Sequence, residues 1–347
     1  MSEKETAVKP LLEIRGLKVE FPNQNGAVTA VDGVDLTLMP GQTLAIVGES
    51  GSGKSTTAHA IINLLPGSGK VSAGSIIFDG QDLTAMSEKE LEKVRGRQIG
   101  FVPQDPMSNL NPVWSVGFQV EETIRANGVA SGKKEIRAKA VEVLKQAGLA
   151  DAEKRLKQFP HQFSGGMRQR VMIAMALINN PSLLIADEPT TALDVTVQSQ
   201  ILQLIREMQK EFNMALILIT HDLGVVAEVA DRVNVMYAGK IVESGTADDI
   251  YYRPDHPYAI GLLNSIPRVD QLESKRLVAI PGQPPSLIHL PQGCSFRARC
   301  EFADRVPGNL CAATTPTLDQ KGADHFSRCH LPEAELVRAR VEIGGRK

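Results

Sequence analysis

Apolar and polar residues alternate in two segments near the amino terminus. The alternation runs from Leu11 to Phe21 and resumes from Val28 to Met39, after a turn that contains Pro, Asn and Gly. A period of two residues is typical of a strand with one buried face and one solvated face. We therefore predict two antiparallel strands in this part of the chain.

Four later segments are short and mostly apolar, which is the pattern of strands buried on both faces of a parallel sheet. They are Thr43–Val47, Ser182–Ala186, Ala215–Ile219 and Arg232–Met236. Helical patterns lie between them, as in residues 56–65 and residues 197–212. Buried strands that alternate with helices predict an α/β fold with a mostly parallel core.

Two changes of pattern indicate how the chain is organised. Between about residues 109 and 180 helical periodicity dominates, most clearly in Lys133–Gln146, and predicts an all-helical insert. After about residue 245 prolines accumulate, which disfavours long regular elements. We therefore predict a first domain of residues 1–245 and a small, irregular extension of residues 246–347.

Composition and charge narrow the classes of function. The 38 basic and 40 acidic side chains nearly cancel, so the charge balance gives no support for a general nucleic-acid or membrane-surface binder. No apolar stretch reaches the roughly 18 to 20 residues that cross a bilayer, and the first ten residues lack the apolar core of a signal peptide. We expect a cytosolic protein whose partners are indicated by its motifs.

Candidate chemistry begins in the loop after the first buried strand. The pattern G-x-x-x-x-G-K-[ST] is matched, with Thr56 following it, by Gly48, Glu49, Ser50, Gly51, Ser52, Gly53, Lys54 and Ser55. Glycines let such a loop turn its N–H groups toward a phosphate, and the following helix adds its positive dipole end. Lys54 would bridge the β- and γ-phosphate oxygens, and Ser55 would coordinate Mg²⁺. The strand before the loop and the helix after it make an accidental match rare.

Two further elements suit phosphate chemistry. A buried strand ends at Asp187 and Glu188, where Asp187 can hold Mg²⁺ and Glu188 can act as the general base toward water. Taken alone, acidic residues after a strand are more often solvated loop residues. A second anion-binding arrangement opens another predicted helix at Ser164, Gly165 and Gly166.

With these motifs together, the sequence closely resembles the ATP-binding cassette (ABC) family. Six motifs follow the family's order: the phosphate loop, Gln104 after a strand, the signature Ser164-Gly165-Gly166, the pair Asp187-Glu188, residues 191–194, and His221. In that family two cassettes face each other head to tail, and the signature of one closes on the nucleotide of the other. The resemblance implies a P-loop NTPase cassette with a parallel-sheet core, an antiparallel β subdomain and a helical insert, which binds ATP and Mg²⁺.

The resemblance also implies roles for single residues. Gln104 would contact Mg²⁺ and sense the membrane partner, Asp194 would link the two nucleotide sites, and His221 would contact the γ-phosphate. Phe21, just after the first predicted strand, resembles the adenine-stacking residue of the family, while a core Phe is the more common meaning of such a residue. Met167 replaces the glutamine that usually closes the signature, so this side chain cannot donate a hydrogen bond.

The tail narrows the resemblance. Residues 256–258, 280–282 and 284–285 are similar to the ATP-binding subunits of oligopeptide and dipeptide permeases. The implied function is ATP hydrolysis that drives peptide import at the cytoplasmic face of the membrane. The implied partners are a second, distinct ATPase subunit, two transmembrane permease subunits and, indirectly, an extracellular peptide-binding protein. Uptake of nickel, glutathione or antimicrobial peptides is an alternative; a non-transport ABC ATPase is disfavoured because no sustained heptad run occurs.

All four cysteines lie in the tail, at Cys294, Cys300, Cys311 and Cys329. In a reducing compartment such clustering favours a metal over a disulfide. The spacings are not those of a zinc ribbon, but four thiolates suit one [4Fe–4S] cluster or one tetrahedral zinc. Because related dipeptide-permease subunits carry an iron–sulfur cluster at such a position, the resemblance implies a metal-binding extension with [4Fe–4S], and zinc or free cysteines are the alternatives.

Overall fold

The structure, a computed structural model, describes residues 9–24, 26–191, 193–265 and 280–341. The strands are β1 (Leu12–Asn23), β2 (Gly26–Leu38), β3 (Thr43–Val47), β4 (Lys70–Phe78), β5 (Gln81–Asp82), β6 (Ile99–Val102), β7 (Leu183–Asp187), β8 (Ala215–Thr220), β9 (Arg232–Tyr237), β10 (Lys240–Thr246), β11 (Asp319–Gln320) and β12 (Phe326–Ser327).

The helices are α1 (Lys54–Ile61), α2 (Glu88–Val94), α3 (Pro106–Asn109), α4 (Val116–Ala126), α5 (Lys133–Gln146), α6 (Ala152–Arg155), α7 (Gly165–Leu177), α8 (Val195–Phe212), α9 (Leu223–Val229), α10 (Ala247–Tyr252), α11 (Pro257–Asn264), α12 (Leu310–Ala313) and α13 (Glu333–Ala339). In the described part of the chain, no helix combines the length and the apolar character that a membrane span needs.

The described residues form two compact units. One contains residues 9–11, 38–42 and 85–219, and the other contains residues 12–37, 43–84 and 220–341, leaving aside the gaps given above. The second unit thus holds both the phosphate loop predicted from the sequence and the described residues of the predicted extension.

In the first unit, β6, β7 and β8 run parallel. Ile99 pairs with Leu183 and Val102 with Ala186, while β7 and β8 are aligned from the Leu183–Ala215 pair to the Asp187–Ile219 pair. Every residue of β7 and β8 is buried, which explains their continuous apolar sequence. The strands predicted at 182–186 and 215–219 are confirmed, each within one residue of its observed bounds.

Helices dominate the segment that the sequence predicts as a helical insert, in the same unit. Helices α3 to α7 occupy most of residues 106–177, and α4 packs on α5 and α7. The buried face of α5 carries Ile136, Ala140 and Leu144, spaced by four residues as an amphipathic helix requires. Ser115 caps α4 by accepting a hydrogen bond from the N–H of Phe118 at 3.1 Å.

In the second unit, one sheet has the order β2-β1-β4-β5, and β1 and β4 are antiparallel. The sequence pattern predicted the first two strands but not β4 or β5, because apolar residues alternate poorly in the segment Lys70–Phe78. Strand β1 also continues to Asn23, beyond the predicted end at Phe21. Phe21 therefore lies within β1, and the prediction that it follows the first strand is wrong.

A second set of strands in this unit joins the predicted extension to β3, the strand that precedes the predicted phosphate loop. β3 and β9 are parallel, β9 and β10 are antiparallel, and β10 pairs with β12 through Glu243–Ser327 and Ser244–Phe326. As predicted, the elements after residue 245 are short. The longest helix among the described residues of this segment, α11, has 8 residues.

A buried ionisable cluster fixes β12 against β10. Glu243 is fully buried, and its carboxylate accepts hydrogen bonds from the N–H groups of Asp255 at 2.7 Å and His256 at 2.8 Å. His325 Nε2 lies 2.8 Å from Glu243 Oε1, and His325 Nδ1 lies 3.3 Å from Asp255 Oδ2. Arg340 pairs with Asp255 from the other side.

Burial opposes the charged form of His325, but the hydrogen bond and the negative charge of Glu243, aided by Asp255 and Asp249, outweigh burial and raise its pKa above the usual 6.5. Burial likewise raises the pKa of the Glu243 carboxyl. The pair therefore retains a shared proton to a higher pH than either group would in water.

We expect the stability of this unit to fall as pH rises from 6.5, the ordinary histidine value, through the raised pKa of His325. A group with a raised pKa in the folded state stabilises folding fully below its unfolded pKa and loses that contribution as pH passes its folded pKa. His325→Gln should flatten the dependence, and the exposed His289→Gln should not. Thermal midpoints measured by circular dichroism across this range test the prediction; an unaltered slope in His325→Gln would contradict it.

Candidate nucleotide-binding site

The phosphate loop, residues 48–55, connects β3 to α1 and approaches its neighbours so closely that side chains are excluded. A Cβ on Gly48, at φ +150°, would lie 2.2 Å from the carbonyl oxygen of Met236. A Cβ on Gly53, at φ +107°, would lie 2.6 Å from the carbonyl oxygen of Ala30. Glycine is therefore required at both positions by space as well as by backbone conformation.

Two buried polar groups lie in this loop. Lys54 is 4% exposed, and its ammonium group donates to the carbonyl oxygens of Gly48 at 2.8 Å and Glu49 at 3.0 Å. The Ser52 hydroxyl is buried and has no hydrogen-bond partner in the described part of the chain. Buried polar groups normally have partners, so a phosphate oxygen at the loop would satisfy Ser52 and compensate the charge of Lys54.

Glu49 is held by two residues that lie far away in the sequence. Its N–H donates to the Tyr258 hydroxyl at 2.8 Å, and its carboxylate accepts two hydrogen bonds from Arg299, at 2.6 and 2.9 Å. These hydrogen bonds with Glu49 raise the pKa of Arg299 still further, and burial raises the pKa of Tyr258. Sequence patterns contain no signal for the Arg299 contact, since the two residues are 250 positions apart.

In the other unit, the structure brings Gln104 and Glu188 together. Glu188 follows the end of β7 with φ +45°, and its N–H donates to the Ile219 carbonyl at 2.9 Å. Its Oε2 accepts from Gln104 Nε2 at 2.8 Å and from the Thr191 hydroxyl at 3.0 Å. The neighbouring Asp187 is 2% exposed. Two donors thus orient a carboxylate at the carboxyl edge of β7.

The signature residues open α7 as predicted from the sequence. The Ser164 hydroxyl caps the helix by accepting from the N–H of Met167 at 3.3 Å. A Cβ on Gly166 would lie 2.5 Å from Val197 Cγ1, so the start of α7 packs directly on α8. Asp194 caps α8 by accepting from the N–H of Val197 at 2.9 Å.

The other two predicted site residues are His221, which follows β8, and Phe21, which lies in β1. His221 is exposed and follows β8, just before Asp222, which caps α9 by accepting from the N–H of Gly224 at 2.8 Å. Phe21 is half-buried, and its ring covers Gly69 so closely that a Cβ there would lie 2.5 Å from Cε1. The adenine-stacking role that the resemblance implies for Phe21 stays a prediction.

The four cysteines are free thiols that converge in one apolar cluster of the second unit. The N–H of Cys294 donates to the Cys311 carbonyl at 2.9 Å. Burial raises the pKa of Cys300 and of Cys329 to about 12, and the neighbouring cysteines add to this effect. Within the described ranges no three His, Cys, Asp or Glu side chains are arranged to hold a metal ion. The expected metal-binding extension is therefore not supported by the arrangement of these thiols.

Comparisons with known proteins agree with this geometry. Residues 31–191 match the family model described as ABC transporter, and residues 242–306 match the model described as oligopeptide/dipeptide transporter, C-terminal region. The oligopeptide transport ATP-binding protein OppD of Haemophilus influenzae is 53% identical over 296 residues, which cover 85% of this chain and 91% of that protein. The chain belongs to the ABC transporter family, among its oligopeptide-transporter ATP-binding subunits.

Two further relatives of this ABC subunit extend the match. The OppD protein of Salmonella typhimurium is 48% identical over 343 residues, covering 97% of this chain and 100% of that protein. The solved dimer of the ATP-binding cassette MJ0796 bound to ADP and Pi is 31% identical with a TM-score of 0.61, and the match covers 68% of this chain and 98% of that one. The cassette fold is thus shown, and the ABC subunit is an ATPase of the peptide-transporter type.

Gly53→Ala should impair nucleotide binding, because a methyl group 2.6 Å from the Ala30 carbonyl must displace the phosphate loop. We expect the affinity for ATP to fall by at least about tenfold, which corresponds to a displacement cost of roughly 1.4 kcal/mol. Gly67→Ala is the matched control, because Gly67 also has a positive φ but an added Cβ there would meet no non-neighbouring atom of the described residues within 4 Å. Isothermal titration with Mg·ATP measures both; equal affinities in the two variants would refute the steric explanation.

Proposed function

We propose that residues 48–55 of this ABC ATPase bind ATP and that hydrolysis of the nucleotide powers peptide import through a membrane permease. The observation that carries the proposal is the phosphate loop itself, which combines two sterically required glycines, a buried lysine and a serine hydroxyl without a hydrogen-bond partner among the described residues. Such a loop favours the β- and γ-phosphates of a nucleotide.

The residues divide into groups with distinct tasks. Lys54 balances phosphate charge, and Ser55 and Asp187 would hold Mg²⁺, which stabilises the charge that develops during phosphoryl transfer. Glu188 polarises the attacking water and accepts its proton. Gln104 donates to Glu188 Oε2, so a change in the position of Gln104 would alter the orientation of the base.

A second cassette would complete the working state. The Ser164 to Gly166 signature at the start of α7 would bind the nucleotide of that partner, Asp194 would link the two sites, and His221 would contact the γ-phosphate. Support comes from the relatives, whose names place them in oligopeptide transport, and from the two matched family models. We propose a distinct second ATPase subunit, two permease subunits and the cytoplasmic membrane face, with residues 1–245 as cassette and 246–347 as extension.

Glu188→Gln should abolish turnover and leave ATP binding intact, since the amide retains the shape of the carboxylate but cannot accept a proton. The expected loss in kcat is on the order of 10² to 10⁴. Glu207→Gln, on the exposed face of α8, is the control. Steady-state ATP hydrolysis and equilibrium ATP binding are measured together; wild-type turnover in Glu188→Gln would rule out its role as base.

Peptide import is tested separately from hydrolysis. The complex with both permease subunits and the second ATPase is reconstituted in vesicles with the peptide-binding protein, and ATP hydrolysis is measured with oligopeptides, dipeptides, glutathione or Ni²⁺. Stimulation by peptides supports the proposal. Stimulation by glutathione or Ni²⁺ alone would replace the peptide with that substrate.

We further propose that Cys294, Cys300, Cys311 and Cys329 bind a [4Fe–4S] cluster, with zinc as the alternative. The supporting observation is that all four cysteines belong to or pack against one apolar cluster, where Cys294, Cys300 and Cys311 each raise the pKa of Cys329. A bound metal would stabilise the thiolates that burial otherwise disfavours. Cluster binding requires the cysteine side chains to rearrange, because their present arrangement forms no ligand group.

Protein purified without oxygen should be brown and contain about four iron atoms per chain if the cluster forms. Any single Cys→Ser replacement should release the metal and increase proteolysis of residues 291–331, because ligation stabilises small metal-held segments. Iron and zinc contents are measured with the absorption spectrum. Colourless protein with one zinc favours the alternative, and unchanged metal content in all four serine variants excludes the site.

A further inference from the structure

We propose that Arg299 and Tyr258, two residues of the C-terminal extension, are positioning residues for ATP binding: they hold Glu49 and thereby keep the phosphate loop in its binding conformation. This inference rests on the proposed role of residues 48–55 in binding phosphate. The extension would then act directly on the nucleotide affinity of the cassette, although none of its residues belongs to a nucleotide motif.

The contact with Arg299 is well defined. Its side chain is 4% exposed, while that of Glu49 is 30% exposed, and the two form the paired hydrogen bonds given above. Arg299 Nε donates to the Pro281 carbonyl at 2.9 Å, so the guanidinium is also hydrogen-bonded to the backbone of the extension. A planar guanidinium held in this way fixes both the distance and the direction of its carboxylate partner.

Tyr258 provides the second point of attachment. It is fully buried, and its ring packs on Tyr237 and Phe296 with ring centroids 4.6 and 5.4 Å away. Its hydroxyl accepts the Glu49 N–H, while the Glu49 carbonyl accepts from Lys54. The backbone and the side chain of Glu49 are thus both held, and the lysine that would contact phosphate is bonded to the same residue.

Two physical effects should follow from these contacts. First, the loop carries three glycines and three small or acidic residues before Lys54, so it has no apolar side chain to fix its shape, and pre-ordering by Arg299 and Tyr258 lowers the entropy cost of binding. Second, an unpaired Glu49 carboxylate would repel the triphosphate, and Arg299 neutralises it. The second effect predicts that removing both charges is less harmful than removing the arginine alone.

The test measures the dissociation constant for Mg·ATP by isothermal titration on the full chain, together with the thermal midpoint. Arg299→Gln should weaken ATP binding on the order of tenfold, Arg299→Lys should recover part of the loss, and the double variant Glu49→Gln/Arg299→Gln should bind better than Arg299→Gln. Tyr258→Phe removes only the hydroxyl and should weaken binding several-fold with little change in thermal midpoint. Arg297→Gln, exposed in the same turn, is the control.

Lys54→Ala separates this inference from the function on which it rests. If Lys54→Ala weakens ATP binding while Arg299→Gln and Tyr258→Phe do not, the positioning role is overturned and the loop assignment survives. If Lys54→Ala leaves affinity unchanged, both fall. Should Arg299→Gln fail to fold, Tyr258→Phe alone decides, because its ring packing is preserved. In variants that fold, a lower thermal midpoint with unaltered ATP affinity would mean that Arg299 is merely structural.

Discussion

The side chains of the phosphate loop are too small and polar to fix its conformation. Contacts from the surrounding unit hold the loop instead. Its glycines adopt conformations that other residues avoid, and its small polar side chains offer no apolar surface to bury. The constraint is met from three directions: by the carbonyl of Met236 on β9, by the carbonyl of Ala30 on β2, and by the polar contacts on Glu49. The strands β2 and β9 and the extension therefore all hold the conformation of the phosphate loop.

The extension is secured by buried charge as much as by apolar packing. Glu243 and His325 join β10 to β12, and Arg299 reaches Glu49 from a turn whose two flanks carry Cys294 and Cys300. Such groups are costly to bury unless every one is paired, so they tolerate little displacement once formed. These buried pairs hold the extension in place although it contains few long helices or strands. The described part of the sequence after residue 245 is thus an integral portion of its unit.

Much of the fold could be predicted because its strongest signals are local. The buried strands β3, β7 and β8 are visible in the sequence as short apolar segments. The residue spacing in the loop of residues 48–55 is set by the requirements of phosphate binding. Weak alternation concealed β4, whose Lys70–Phe78 sequence has small and polar residues on both faces. Contacts between distant positions left no trace in the sequence. The Arg299–Glu49 pair is the clearest example.

The Arg299–Glu49 pair has a consequence for how this family can change over evolutionary time. A carboxylate at the second position of the phosphate loop is a burden beside a polyanion unless an arginine accompanies it. Substitutions at positions 49 and 299 should therefore accumulate together, and the same argument predicts no pressure to keep an acidic residue at this position in cassettes that lack the arginine. The identity of one loop residue would then record whether a lineage has carried the extension.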